Sequence, residues 1–347
     1  MVKIARGEEI MTNRERFLRV LDFKPVDRLP IIENSHWWTE TIENWEREGL
    51  SVENHAPLNN NEAIQLTLGL DLYMELWINF TTATTPRPAY HGAPLARTME
   101  EYERLKPTLY PRNAIDRERL RVMAKFQKSG KAITHLYING YFWGPRIVLG
   151  IEPHLLAFYD APELIHRINL DIVEHTKHVF DQVFDIFVPD FVIYAEDMSY
   201  NLGPMLSEAH FDEFILPYYR VTVPLVKRTG ARVIVDSDGD ISRTIPWFLR
   251  AGAEGMTPLE RQAGVDVPAL REKYPNFLFI GHFDKMVMTR GEEAIRAEFE
   301  RLLPLMRKGG FIPSVDHQTP PGVSLDQYRM YLRLFHEYAQ KAGNQGG

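Results

Sequence analysis

Four short apolar runs in this chain each close on ionisable residues. FVIYAED (191–197) ends in Glu196 and Asp197, and ARVIVDSDGD (231–240) ends in Asp236, Asp238 and Asp240. FLFIGHFD (277–284) ends in His282 and Asp284, and FIPSVDH (311–317) ends in Asp316 and His317. Runs this short, rich in β-branched and aromatic residues, predict buried strands. Between them, apolar residues recur at helical spacing over 207–219, 242–251, 266–274, 291–308 and 324–341, with a shorter strand-like run at EGMTPLE (254–260). From residue 190 onward strand and helix alternate strictly, which predicts a parallel sheet with right-handed crossovers. Polar groups collected at successive strand ends predict one rim of a (β/α)8 barrel.

The first half is less regular. Thr12 and Glu15 form a capping-box pattern ahead of a helix over 14–23, with Phe17, Leu18 and Leu21 as its buried stripe. LPIIE (29–33), ending on Glu33, is a candidate first strand. An aromatic-rich amphipathic stretch follows over 33–50, then a helix and strand over 62–78. A polar, proline-rich excursion fills 79–109, with a basic helix over 115–126 and a strand over 131–137 after it. A loop and then one or two long helices occupy 139–183, with Asp160, Pro162 and Glu163 as a helix start. Residues 1–11 read as a leader with nothing to pack. No linker or low-complexity tract interrupts the rest, so one domain is expected over 1–347.

Lys and Arg total 40 against 47 Asp and Glu, a net charge of −7. That balance disfavours nonspecific binding to nucleic acid or an anionic membrane. No window approaches the roughly 20 apolar residues of a membrane span, and the N-terminus lacks the apolar core of a signal peptide. There is no cysteine, which excludes disulfides, thiolate catalysis and cysteine-ligated zinc. A cytoplasmic enzyme is the expectation.

Carboxylates at the ends of buried strands lose several kcal/mol on desolvation unless a cation, a metal or donors meet them. This singles out Glu196, Asp236 and Asp238 as candidate catalytic groups. Tyr194 and Glu196 share one strand face by the period of two. His317 follows a strand directly, and His282 has Asp284 two residues on. Trp37, Trp38, Tyr141, Phe142 and Trp143 are candidates for an aromatic wall, with helix packing the alternative for Trp37 and Trp38. His175 and His178 read as solvated surface, and His135 and His210 as structural.

The ordered blocks TNRERFLRVLDFKPVDRLP (12–30), YAEDM (194–198), PMLSEAHFDEFILPYY (204–219), VDSDGD (235–240), GMTPLERQAGVDV (255–267), IGHFDK (280–285) and PPGVSLDQYRMYLRLF (320–335) resemble the uroporphyrinogen decarboxylase superfamily. That superfamily also includes corrinoid and coenzyme M methyltransferases. The resemblance implies a (β/α)8 TIM barrel with its site at the C-terminal rim. In the decarboxylases an arginine segment grips the substrate's carboxylates, whereas the corresponding IIENSHWWTE (31–40) has none. Their substrate-contacting Asp falls in YMELWI (73–78), where this chain offers Glu75. A porphyrinogen with eight carboxylates requires a basic pocket, and this rim has the opposite sign.

The methyltransferase branch implies zinc on a His-x-Cys pair, here Asp236 and Asp238, with a later ligand at Asp316 or His317. The expectation is therefore methyl transfer from a small O- or N-methyl substrate to a corrinoid on a separate protein. Zinc would be held by Asp236, Asp238 and His317. Glu196, Asp236, Asp238 and His317 would be catalytic, with Trp37, Trp38, Tyr141, Trp143, Tyr194 and His282 against the substrate. The alternatives are decarboxylation of a tetrapyrrole or smaller acid, and a non-catalytic ligand-binding barrel. In a blander arrangement, Arg28, Arg146, Arg243 and Lys285 simply neutralise the acids. The oligomeric state is left open, a homodimer among the options.

Overall fold

The computed structural model describes residues 11–343 apart from positions 54 and 114. Seven parallel strands form one curled sheet: β1 Leu72–Ile78, β2 Ala132–Asn139, β3 Phe191–Ala195, β6 Arg232–Asp236, β7 Gly255–Thr257, β8 Leu278–Phe283 and β9 Phe311–Val315. They pair in the order β1-β2-β3-β6-β7-β8-β9. A two-residue ribbon, β4 Ser199–Tyr200 with β5 Gly203–Pro204, follows β3. Asn139, Ala195, Asp236 and Thr257 sit opposite one another in register. The strand ends are therefore level, and the residues just beyond them converge on one mouth.

The eighth place of the barrel is taken by 29–34, and the expected strand there is corrected. These residues are joined mostly through side chains, with a single backbone bond to the approach to β1, instead of a ladder. Ile31 N donates to Asp71 Oδ2 (3.0 Å) and Asp71 N to Ile31 O (2.8 Å) on the β1 side. On the β9 side Val315 N and Ser314 Oγ donate to Glu33 Oε2 (3.1 and 2.8 Å). Pro30 has no N–H to offer a ladder, so carboxylates supply the cross-links. Burial pushes the Glu33 carboxyl up, against hydrogen bonds from Val315, Ser314 and Tyr328.

The opposite end is plugged. Helix Asn13–Leu21, with the Thr12 hydroxyl accepting from Glu15 N, packs Phe17 against Phe191 at 5.6 Å. Arg14 Nε meets Asp190 Oδ1 at 2.7 Å, and Gly310 N donates to Val20 O. The barrel interior is thus closed at this end, although a cavity of about 730 Å³ lies outside the plug between residues 21–24 and the starts of β6 and β8. Long helices such as Pro162–Phe184, Leu216–Lys227, Glu292–Met306 and Leu325–Gly343 cover the outside of the sheet. The excursion over 79–109 contains an unexpected helix, Met99–Leu105, capped by Thr98. Asp160 closes helix Ile151–Asp160 instead of capping the next one, and His175 is buried instead of solvated. Among the described residues no helix is long and apolar enough to cross a membrane.

Candidate active site

Strand phase decides which side chains reach the mouth. Glu75 of β1 and His135 of β2 pair across the sheet, and Phe191 of β3 stacks on His135 at 4.8 Å. The inward face of β3 is therefore Phe191, Ile193 and Ala195. Tyr194 and Glu196 do share a face, but it is the face toward the helices. Asp236 pairs with Ala195 and points inward.

These inward positions and the loops after them enclose a cavity of about 290 Å³. Glu75, Trp77, Tyr137, Trp143, Asp197, Asp236, Asp238 and His317 line it, with Asn34, Ser35, His36 and Gln318 at the N- and C-terminal segments. Trp77 stacks on Tyr137 at 4.0 Å and 12°, so one wall is a flat aromatic surface. Glu75 Oε2 lies 3.1 Å from His135 Nε2. Burial raises the Glu75 carboxyl, but the His135 hydrogen bond, with the charges of His135 and His36, leaves it below its usual value. Burial also lowers the His135 imidazole. The two shifts are incompatible with a full ion pair. A neutral His135, wholly buried, donating Nε2–H to an ionised Glu75 is the arrangement that satisfies both.

Asp236 and Asp238 behave differently. Two cations near the mouth are already engaged elsewhere. Arg146 Nη1 binds Asp197 through its Oδ2 (3.3 Å) and carbonyl (3.1 Å), while Lys285 Nζ binds the fully buried Asp316 at 3.1 Å. Among the described residues neither Asp236 nor Asp238 has a Lys or Arg ion pair. Desolvation at the mouth pushes Asp236 up to about 7, aided by the charges of Asp197, Glu75 and Glu260 and opposed by the Tyr137 hydroxyl that donates to it. Desolvation and the neighbouring Asp236, Asp197 and Glu260 push Asp238 up to about 8. Both carboxyls are thus held toward their protonated forms near neutrality.

His317 Nε2 stands 3.6 Å from Asp238 Oδ2. Its imidazole is lowered, first by burial and further by Lys285, so it faces Asp238 as a neutral ring. Gly239, at φ +78, keeps this loop tight. A Cβ there would lie 2.6 Å from the Tyr200 backbone of the ribbon.

Of the residues predicted for the site, Asp236, Asp238, His317 and Trp143 come together here. The others do not. Glu196 is fully buried and accepts from Tyr141 N (2.9 Å), Phe142 N (2.6 Å), Trp143 N (3.3 Å) and Tyr219 Oη (2.7 Å). It anchors the turn after β2, and a Cβ at Gly140 would lie 2.3 Å from its carboxyl carbon. Burial raises this carboxyl while the four donors lower it. The net direction is upward, yet we read it as ionised, because three of its four partners are backbone N–H groups that only donate and the Tyr219 hydroxyl alone could accept from a protonated oxygen.

Tyr141 and Tyr194 pack with Tyr219 in the helix layer. Trp37 packs against Trp45 and Tyr328 in the core. Trp38 is half-exposed outside the cavity. His282 sits behind the barrel, its Nδ1 on Leu259 O (3.0 Å) and its Nε2 facing Arg301 (3.3 Å). Trp77 and Tyr137 were not singled out in the sequence, and Glu75 entered only as the counterpart of a decarboxylase Asp. A signal was there: Glu75 and Trp77 alternate with apolar residues in LYMELWI and so share one strand face.

The expected zinc ligands do not fit a metal in this arrangement. Among the described residues no group of three His, Asp or Glu side chains is disposed to hold an ion, and His317 is turned to Asp238 itself.

An α/β barrel with one end plugged and an acid-lined mouth at the other is the class of protein these features define. The family description Uroporphyrinogen decarboxylase (URO-D) matches residues 150–338, more than half of the chain, and the chain belongs to that family. Among solved structures, a methyltransferase from Methanosarcina mazei matches with a TM-score of 0.64 at 14% identity. That match covers 94% of this chain and 99% of the other. At such identity the likeness concerns the fold alone. No curated protein matches.

Proposed function

We propose that this barrel removes a methyl group from a small O- or N-methyl compound, O-methyl fitting best, and passes it to a corrinoid on a separate protein. The observation that carries the reading is that Asp236 and Asp238 line one cavity with no Lys or Arg ion pair among the described residues, an environment that pushes both carboxyls toward the protonated form. As a methyl–oxygen bond breaks, its electron pair stays on the oxygen, and a proton from Asp236 or Asp238 completes a neutral alcohol or phenol. His317, facing Asp238, is placed to relay a proton from solvent to the spent carboxylate, taking it up on one ring nitrogen and releasing it from the other. Glu75 stays ionised opposite them and can orient a donor group on the substrate. Trp77, Tyr137 and Trp143 supply flat surfaces for an aryl or alkyl body.

A reduced corrinoid supplies, when bound, the nucleophile that takes the methyl group. The cavity, at about 290 Å³, lies at the small end of ligand pockets (roughly 300–1,000 Å³). A macrocycle is therefore presented at the mouth, not taken inside. The same volume and the acid lining oppose entry of a porphyrinogen with eight carboxylates.

The test is release of 4-hydroxybenzyl alcohol from 4-methoxybenzyl alcohol, with free reduced cobalamin as methyl acceptor. General-acid catalysis contributes about 10²–10⁴-fold, so Asp238→Asn should slow release by about that factor. Unchanged release in Asp238→Asn, or none from the parent across a panel of O- and N-methyl donors, would sink the reading.

A further inference from the structure

A second cavity, of about 480 Å³, lies beside the first. The two share Trp143 as a common wall. Arg146 lines the second and reaches Asp197 of the first, so the two spaces meet across one indole ring and one ion pair. Their charges are opposed. Glu75, Asp197, Asp236 and Asp238 crowd the first. The charged or titratable lining of the second is Arg87, His91 and Arg146, with no carboxylate among its lining residues.

Arg146 is fixed at the boundary, its guanidinium 5.1 Å from the Trp143 ring. Arg87 is exposed and has no carboxylate partner among the described residues. The loop that carries it is pinned, since the hydroxyls of Thr82 and Thr85 both donate to Thr108 O (2.8 and 2.7 Å). An unpaired guanidinium on a braced loop, across an apolar gap from a second guanidinium, is suited to a planar oxyanion.

We infer that this second cavity is an anion subsite continuing the catalytic cavity. It takes the carboxylate, or a similar oxyanion, of a substrate whose body lies along Trp143 and whose reacting end enters the acid cavity. The inference rests on the preceding reading for the methyl-ether end of that substrate, and on the second cavity alone for its anionic end. It also gives the acid lining a selective role. A carboxylate is repelled by the ionised Glu75 at the acid end and accepted at the Arg87 end, so one orientation of the substrate is favoured.

The experiment is calorimetric titration of parent, Arg87→Ala and Arg87→Lys with benzoate, 4-methoxybenzoate and 4-methoxybenzyl alcohol. Benzoate should bind the parent, weaken by about tenfold in Arg87→Ala and recover in Arg87→Lys, while the neutral alcohol should bind all three alike. Thermal unfolding checks that the variants are folded. Absence of benzoate binding to the parent, or equal binding to Arg87→Ala, overturns the subsite. Arg87-dependent benzoate binding without demethylation of 4-methoxybenzoate leaves the subsite standing and removes the methyl-transfer reading. Demethylation of the neutral ether without any benzoate binding does the reverse.

Discussion

Glu196 offers the most direct test of how the site is built. Its carboxylate collects three backbone N–H groups and the Tyr219 hydroxyl at 2.6–3.3 Å, all within a fully buried pocket. In Glu196→Ala the Tyr219 hydroxyl can rotate to another acceptor, and the Trp143 N–H bond is already long. The Tyr141 and Phe142 N–H groups are left with nothing. Each orphaned buried donor costs about 1–3 kcal/mol, and relief from burying a charge offsets part of that sum. The expected loss is about 3 kcal/mol, read from urea unfolding followed by tryptophan fluorescence. Glu196→Gln is the sharper variant. If the carboxyl is ionised, the new NH2 faces backbone donors and costs about 1–3 kcal/mol. If it is protonated, glutamine is nearly isosteric and costs little. A Glu196→Gln protein as stable as the parent would refute the ionised buttress. A stable Glu196→Ala protein with activity lost would return Glu196 to the catalytic set.

Two further outcomes follow from the same geometry. Asp236 and Asp238 hold their protons to about pH 7 and about pH 8 when folded, well above the 3.8 taken for a free Asp. Their contribution to stability is complete below that value and falls away as pH rises through about 8. The Asp236→Asn/Asp238→Asn double variant should match the parent's Tm at pH 4 and exceed it at pH 8, and a constant difference across that range would contradict the assignment. Gly281 has φ +116, and a Cβ there would lie 2.0 Å from the Pro258 carbonyl oxygen. Gly281→Ala should therefore cost about 3 kcal/mol or more in thermal unfolding, and a loss under about 1 kcal/mol would show that the backbone there yields.

The barrel was legible because its strands are unbroken apolar runs of limited length, and because ionisable groups repeat where those runs stop. The one strand expected in error, 29–33, has the composition of a strand and the environment of one. What it lacks is a ladder, since Pro30 interrupts the donors and Asp71 and Glu33 take over the pairing. No local pattern in LPIIE announces that Asp71 will be its partner. Side-chain direction was the larger loss. FVIYAED names two acids, and a shift of one residue decides which meets the cavity. The shared face of Tyr194 and Glu196 was correctly inferred, but its destination is the helix layer, so the adjacent Asp197 is the one that lines the mouth.

The protonation of the site lies further still from local sequence. Desolvation first, and then neighbouring carboxylates, push Asp236 and Asp238 up, while Arg146 and Lys285 are spent on Asp197 and Asp316. Those two ion pairs span 51 and 31 residues of chain. Counted along the sequence, Arg146 and Lys285 look like neutralising partners for any acid on the rim. Arranged in space, they leave two carboxyls with each other. The acid character proposed for this site is thus a property of the pairing pattern across the barrel, and Arg146→Gln should alter it: freed from Arg146, Asp197 would repel the pair more strongly and move the alkaline limb of the pH–rate profile upward.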